Sequence, residues 1–480
     1  MGVKKNIIYS AILTTSNYAI QLVTFPYLSR VLGVENIGIV NFIDGIVNYF
    51  IMISMLGLNI LGIREIAKVS NDVSKRNKIF SVLFSINLCF TIIVSLMYIG
   101  LIFLIPQFYE KRDFFFLGIF KLLFNLFLIE WFYKGIENFK YITIRALVLR
   151  LFYIVLLFVF VKNAADVYIY YSITVLLVIS NSIVNWIYSR KVVSYVLVRI
   201  EDFKLYIKPY VYLGFYLILS SAYTTFNVIY LGFISSEKEV GYYVTALKIY
   251  TIILGLFTSL TNVMMPRMSA LLSKGNVIEF RKKINVVFGM FFSISIPLVF
   301  AIIPLSGEII TVVAGNGYEG AILPMQLITP LILIVGIAQM LVTQILIPLK
   351  KDKIVLKTAV VGAVFGLSLN LILVSHLSSI GTAITLLCSE FLVTFFLLFY
   401  VIRNKLLFLL FDSVKLNIFY SIPYLVIVFF VKRILSDNLQ ILLSSFFCCS
   451  VYFFLSQLFL VKNPIIVYYV QNFFKHKNYK

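Results

Sequence analysis

Five ionisable side chains lie deep inside stretches of sequence that are otherwise almost wholly apolar: Asp44, Lys121, Arg150, Lys248 and Glu390. A sixth, Glu130, lies near the end of such a stretch. A charge at the centre of a membrane helix costs about 2.5–3.5 kcal/mol, so it persists where it is paired, wetted or bound to something. The balance here is basic. Lys121, Arg150 and Lys248, with Arg30 just past the first apolar run, outnumber Asp44 and Glu390. Ammonium and guanidinium groups recognise anions, and the guanidinium fork matches phosphate. The chemistry on offer is electrostatic capture of an anion, above all a phosphate or pyrophosphate. A cationic passenger calls for the opposite balance. Structural pairing, for example of Asp44 with Lys121 or Lys248, stays open as the alternative.

Covalent chemistry has little support. His376 and His476 are far apart, and Cys89, Cys388, Cys448 and Cys449 all fall inside apolar runs, so neither a disulfide framework nor a metal site is expected. No glycine-rich loop followed by Lys offers a nucleotide site. Glu308 and Glu319 share one short segment, which is thin support for a membrane polymerase or a lipid-dependent glycosyltransferase. The expectation is a protein that is not an enzyme and uses no metal and no cofactor.

The elements that carry these residues are membrane helices. Hydrophobic residues make up 61% of the 480 and charged ones 13%, too few to coat a soluble domain of this size. Runs of about twenty apolar residues match the ~30 Å hydrocarbon core when helical, and their even apolarity argues against the alternation of barrel strands. About fourteen spans are expected, near 7–27, 36–60, 79–105, 113–133, 141–161, 165–188, 207–233, 240–264, 284–305, 321–348, 354–375, 378–402, 415–432 and 440–461. The first is read as a retained helix, since no small-residue cleavage site follows it. The larger gaps, near 61–78, 189–206 and 265–283, read as loops.

The net charge of +21 could suggest a nucleic-acid partner. Its distribution argues against one. With the N-terminus inside, most Lys and Arg fall on cytoplasmic segments, which is the positive-inside rule; both termini are then cytoplasmic. Pro297 and Pro330 are the candidates for true kinks, while Pro304 and Pro348 read as element ends.

Two signals suggest an internal repeat. Glu35-Asn36-Ile37-Gly38 opens the second span and Glu239-Val240-Gly241 the eighth, with Arg64 and Arg267 following at equal distance. Polar stripes recur as well: Ser10, Thr14, Asn17, Gln21 and Thr24 share one face of the first span, with Asn41, Asp44 and Asn48 in the second. Ser220, Thr224 and Asn227 with Tyr216 occupy the seventh, and Thr245, Lys248, Gly255, Ser259 and Asn262 the eighth. Such stripes face another helix or water; four of them at symmetric positions favour a hydrated cavity. The expected architecture is all-α and polytopic: an N-lobe at 1–200, a C-lobe at 201–405, and two additional helices with a tail at 406–480.

Certain blocks resemble the Wzx-type polysaccharide flippases of the multidrug/oligosaccharidyl-lipid/polysaccharide exporter superfamily. They are Phe25-Pro26-Tyr27-Leu28-Ser29-Arg30-Val31-Leu32-Gly33, the Glu35–Gly38 block, Gly62-Ile63-Arg64-Glu65-Ile66-Ala67, Val240-Gly241-Tyr242-Tyr243 with Ala246-Leu247-Lys248, Met265-Pro266-Arg267 and Ile347-Pro348-Leu349-Lys350. The resemblance implies two MATE-like six-helix lobes around a V-shaped cavity, plus two extra helices, in the bacterial inner membrane. It implies an undecaprenyl-pyrophosphate-linked oligosaccharide as substrate, for O-antigen, capsule or another surface polysaccharide. It further implies alternating access coupled to H+ or Na+, and association with a polysaccharide polymerase and chain-length machinery. Basic cavity residues would hold the anion. Arg30 and Lys248 lie within matching blocks; Lys121 and Arg150 rest on the cavity argument. Asn17, Gln21, Asn41, Asn48, Ser220, Thr224 and Asn227 would be the polar lining, and Asp44 and Glu390 the ion-coupling groups. A cation-coupled multidrug exporter of the same superfamily is the first rival, and a polymerase the second.

Overall fold

A computed structural model describes residues 3–221, 225–273, 276–404, 406 and 411–461, and among them the chain is helical throughout with no strand. The all-α polytopic expectation holds. Ten helical stretches of described residues are long and apolar enough to cross a membrane. Two of them, Ile8–Met55 at 48 residues and Asp352–Arg403 at 52, are each longer than two crossings require. A straight rod of either length would overshoot the hydrocarbon on both sides, so each must bend, and each contains one non-helical residue near its middle. In α1 (Val3–Met55) it is Gly33, at φ 78°, and in α16 (Asp352–Arg403) it is Ser378, at φ 48°. Gly33 falls in the gap between the first two expected spans, and Ser378 is the first residue of the expected 378–402 span, just past its gap. Gly33 suits its place because a left-handed φ strains any residue with a Cβ.

The chain divides into two compact units. The first comprises Met1–Val244 with Ala359–Thr382. It holds α1, α2 (Leu58–Lys68), α3 (Val73–Leu104), α4 (Pro106–Glu110), α5 (Arg112–Asn125), α6 (Glu130–Gly135), α7 (Phe139–Phe160), α8 (Val167–Ser189), α9 (Ile200–Ser221), α10 (Thr225–Ile234), the start of α11 (Glu237–Ser273) and the first part of α16. One of its cores is rich in aromatic rings: Phe80 stacks on Trp131 at 5.6 Å and Phe84 on Trp186 at 5.1 Å. The second unit comprises Thr245–Thr358 with Ala383–Lys480. It holds the rest of α11 and α16, with α12 (Val277–Ile302), α13 (Ser306–Ala314), α14 (Ile322–Ile328), α15 (Leu331–Met340), α17 (Phe411–Phe419), α18 (Ile422–Ile434) and α19 (Asn438–Leu455). A cluster around Leu305, Tyr424, Val428, Ile441 and Cys449 packs α18 and α19 near α13.

Three expectations shift. The second span ends at Met55 rather than residue 60, because Leu56 and Gly57 turn the chain into α2, and the supposed loop at 61–78 is mostly helix, the end of α2 and the start of α3. Helix also extends into the other two gaps, through the start of α9 and the end of α11. Of the two prolines read as kinks, Pro330 separates α14 from α15, whereas Pro297 stays within α12.

Candidate functional site

The first unit gathers most of the residues singled out from sequence. Lys121 on α5 forms an ion pair with Asp44 on α1. The other Asp44 oxygen accepts from Asn48 Nδ2 at 3.0 Å, one helical turn on. The pair is partly covered: the Lys121 side chain is 13% exposed and that of Asp44 31%. Gly118, one turn before Lys121, lets the chain approach closely, because a Cβ there would stand 2.6 Å from Val47 and 2.8 Å from the Tyr98 hydroxyl. An ammonium has three donors, so Lys121 can hold Asp44 and keep donors for a second anion.

Arg150 on α7 reaches the polar face of α1. Its guanidinium donates to the Leu13 carbonyl at 3.3 Å, the Ser16 hydroxyl and the Asn17 side-chain oxygen. All three partners are neutral, so the arginine keeps its charge. Asn17 and Gln21 lie at the surface of the chain, Asn41 is half-buried and donates to the Ile37 carbonyl, and Asn48 is exposed beside Asp44. Thr14 and Thr24 donate to carbonyls of their own helix. The α1 face is therefore supplied with amides and one arginine.

Arg30 is exposed on α1, ahead of the Gly33 break. Its neighbours in that block do structural work. Phe25, Leu28 and Leu32 are buried, the Tyr27 hydroxyl donates to the Val161 carbonyl at 2.6 Å, and Asn36 donates to the Ala164 carbonyl at 3.0 Å. Asn227 on α10 is fully buried and accepts from Asn370 at 2.7 Å, a helix–helix hydrogen bond. Thr224 lies outside the described residues, as do the side chains of Ser220 and Tyr216. In the second unit Lys248 is half-buried on α11, and Glu390 half-buried in the second part of α16. Among the described residues no cluster of His, Cys, Asp and Glu could hold a metal ion. Glu308 pairs with Lys432 at 2.8 Å.

Two features escaped the sequence reading. Arg145, which sequence places among the cytoplasmic charges, is buried; it pairs with Glu130 at 2.6 Å and donates to Asn185, to which Tyr141 also donates at 3.1 Å. The apolar residues flanking Arg145 were the available signal. The second is how the two copies of the repeat meet. A Cβ on Gly38 would fall 1.8 Å from the Glu237 carbonyl oxygen, and one on Gly241 would fall 2.2 Å from that of Val34. The two copies of the motif thus cross backbone to backbone, each glycine admitting the other copy. Beside the crossing, Lys111 pairs with Glu237 at 2.6 Å, and Glu239 accepts from the Ser379 amide at 3.1 Å.

Helices that cross and recross an apolar layer, with charges held between them, define a polytopic membrane transport protein. The chain belongs to the family described as "Polysaccharide biosynthesis protein", whose model matches residues 3–272. This bears out the resemblance to Wzx-type flippases. The chain is 29% identical over 424 residues to the "Putative O-antigen transporter" of Escherichia coli (strain K12), covering 85% of this chain and 98% of that one. Its fold matches that of the lipid II flippase MurJ in an inward closed conformation, with a TM-score of 0.76 at 16% identity over 94% of this chain and 98% of that one. It also matches an inward-facing multidrug resistance MATE family transporter of the MOP superfamily, with a TM-score of 0.60 at 14% identity over 85% and 96%.

Proposed function

We propose that this protein is a flippase that turns an undecaprenyl-pyrophosphate-linked oligosaccharide from the cytoplasmic to the outer leaflet of a bacterial inner membrane. The observation that carries the reading is that two bases of one helical unit, Lys121 and Arg150, are each held against α1 by partners that an anion can replace. Lys121 is held by Asp44 in a partly open pair, and Arg150 is held by neutral oxygens on the polar face of α1. The E. coli relative's name and the family point to the same class of cargo.

In this reading the substrate pyrophosphate competes with Asp44 for Lys121 and gathers Arg150, Arg30 and Lys248 around it. Asn17, Gln21, Asn41, Asn48, Ser220 and Thr224 meet the sugar head, while Asn227 holds α10 against α16. Protonation of Asp44, or its occupation by Na+, frees Lys121 and couples the cycle to a gradient, with Glu390 a second such group. We further take the chain to cross the membrane fourteen times, as six-helix lobes at 1–200 and 201–405 plus two helices at 406–480. Both termini would be cytoplasmic, and the path would alternate between the two faces. Association with a polymerase and chain-length machinery would place the product where it is consumed.

Flipping in proteoliposomes tests this. A fluorescent undecaprenyl-pyrophosphate oligosaccharide is added, and leaflet exchange is scored by an impermeant reagent. Wild type transfers it. Lys121→Met and Arg150→Ala each slow transfer by about tenfold or more, the loss of one charge-assisted contact. Asp44→Asn retains exchange but loses its response to an imposed gradient. No transfer by wild type under either ion gradient would sink the proposal and favour a drug exporter, whereas unchanged rates in both basic variants would return those residues to structure.

A further inference from the structure

In the second unit a cavity of about 500 Å³ runs between α11, α12 and α15, and its lining is apolar except at one end. On α12, Lys282 and Lys283 stand at that end, and Val286, Met290 and Ile294 continue down the same face. These three apolar residues are exposed, so the groove opens along its length to the surface of the chain. Met264 of α11 and Met340 of α15 line it nearer the lysines. Phe257 and Phe291, edge to face at 5.1 Å, line the wall. Gly336 makes room for that ring pair, since a Cβ there would stand 2.4 Å from the Phe291 ring. At the far end Ile294 also lines a second apolar cavity.

We propose that this groove holds one chain of an acidic phospholipid from the cytoplasmic leaflet, with its phosphate against Lys282 and Lys283. Three properties select that occupant. The polar end is basic: Lys283 pairs with Glu279 at 2.6 Å, but Lys282 has no ion pair among the described residues, and Lys283 keeps further donors. Basic pockets between membrane helices on the cytoplasmic side recognise anionic headgroups, and the positive-inside pattern puts this end of α12 on that side. The depth fits as well. From Lys283 to Ile294 the helix rises about 16 Å, against about 15 Å for one leaflet's half of the hydrocarbon. That depth matches an acyl chain and is short for a polyprenyl chain. Methionines suit a lining that must follow a flexible chain. This site goes beyond the proposed flipping reaction and does not depend on it.

The test is native mass spectrometry of the full chain, purified in detergent and given phosphatidylglycerol or phosphatidylethanolamine with identical acyl chains. Wild type should retain phosphatidylglycerol in preference. Lys282→Gln with Lys283→Gln should weaken that retention about fivefold per lysine and leave phosphatidylethanolamine unchanged. Met290→Trp, which fills the groove, should lower both. Thermal melting of each variant confirms that it is folded. Equal retention of the two lipids by wild type, or unchanged retention in both variants, would overturn the proposal. So would displacement of phosphatidylglycerol by a polyprenyl phosphate at equal concentration.

Discussion

Arg145–Glu130 in the first unit and Lys432–Glu308 in the second are ion pairs of similar length, 2.6 and 2.8 Å, in different surroundings. The Arg145 side chain is 4% exposed and is shared with Asn185; that of Lys432 is 34% exposed and also donates to the Pro304 carbonyl at 2.6 Å. Ranked by the base, Lys121–Asp44 lies between them, at 13%; the acids do not follow that order, with Glu130 at 28%, Asp44 at 31% and Glu308 at 11%. The three bases form a scale of accessibility, and the scale separates roles. A guanidinium enclosed like that of Arg145 cannot be lent to a passing anion without leaving Glu130 to Lys134 alone, at 3.2 Å. Lys432 acts as a clip from α18 to the start of α13. Lys121 is covered enough for its charge to matter and open enough for its partner to be replaced.

The comparison breaks most severely at Arg145. Arg145→Ala leaves Glu130 with Lys134 alone, at 3.2 Å, and takes a donor from Asn185; the cost lies at the low end of the about 3–5 kcal/mol for a broken buried pair, so the folded yield and melting temperature in detergent should fall steeply. Arg145→Met combined with Glu130→Gln should recover part of the loss; no recovery would mean that the arginine is needed for more than pairing. Next comes the motif crossing. Gly38→Ala forces its Cβ onto the Glu237 carbonyl, an overpacking worth about 1–3 kcal/mol. Gly45→Ala, whose nearest neighbour is Ile229 at 3.4 Å, should melt close to wild type. Equal melting of the two would refute the tight crossing. Lys432→Met should cost somewhat less, about 1–2 kcal/mol, because Lys432 is partly exposed although the buried Glu308 loses its partner, and adding Glu308→Gln should remove most of even that.

Sequence made the fold class legible because composition alone forces membrane helices on this chain, and the breaks at Gly33 and Ser378 fall in, or at the edge of, the gaps between expected spans. It also marked the repeat, since paired glycines at a fixed offset survive as text. What the glycines do was hidden: a crossing of two backbones depends on a contact between residues two hundred positions apart. The charges show the same division. Asp44 and Lys121 stand out as isolated charges in apolar runs, and pairing between them was an open alternative. Arg145 did not stand out, because a cluster of Lys140 and Lys134 nearby made it look like one more cytoplasmic base. Periodicity reports which face a residue occupies; it does not report what stands opposite.

The smallest expected effect lies at the exposed end of the scale, beside the crossing. Lys111, by its hydrogen bond to Glu237, holds that carboxyl below its usual value. Glu237 sits just before the eighth span, where water screens the pair. With the folded value depressed, the pair's contribution is full above the ordinary glutamate range near pH ~4.3 and disappears as the pH falls through the folded value. Lys111→Met should therefore lower the melting temperature slightly at neutral pH and make no difference in strong acid. The two melting curves, taken across acid pH, should converge. A gap that stayed constant into strong acid would show that Lys111 supports the crossing by packing rather than by charge. The accessibility scale would then apply to the intramembrane pairs alone.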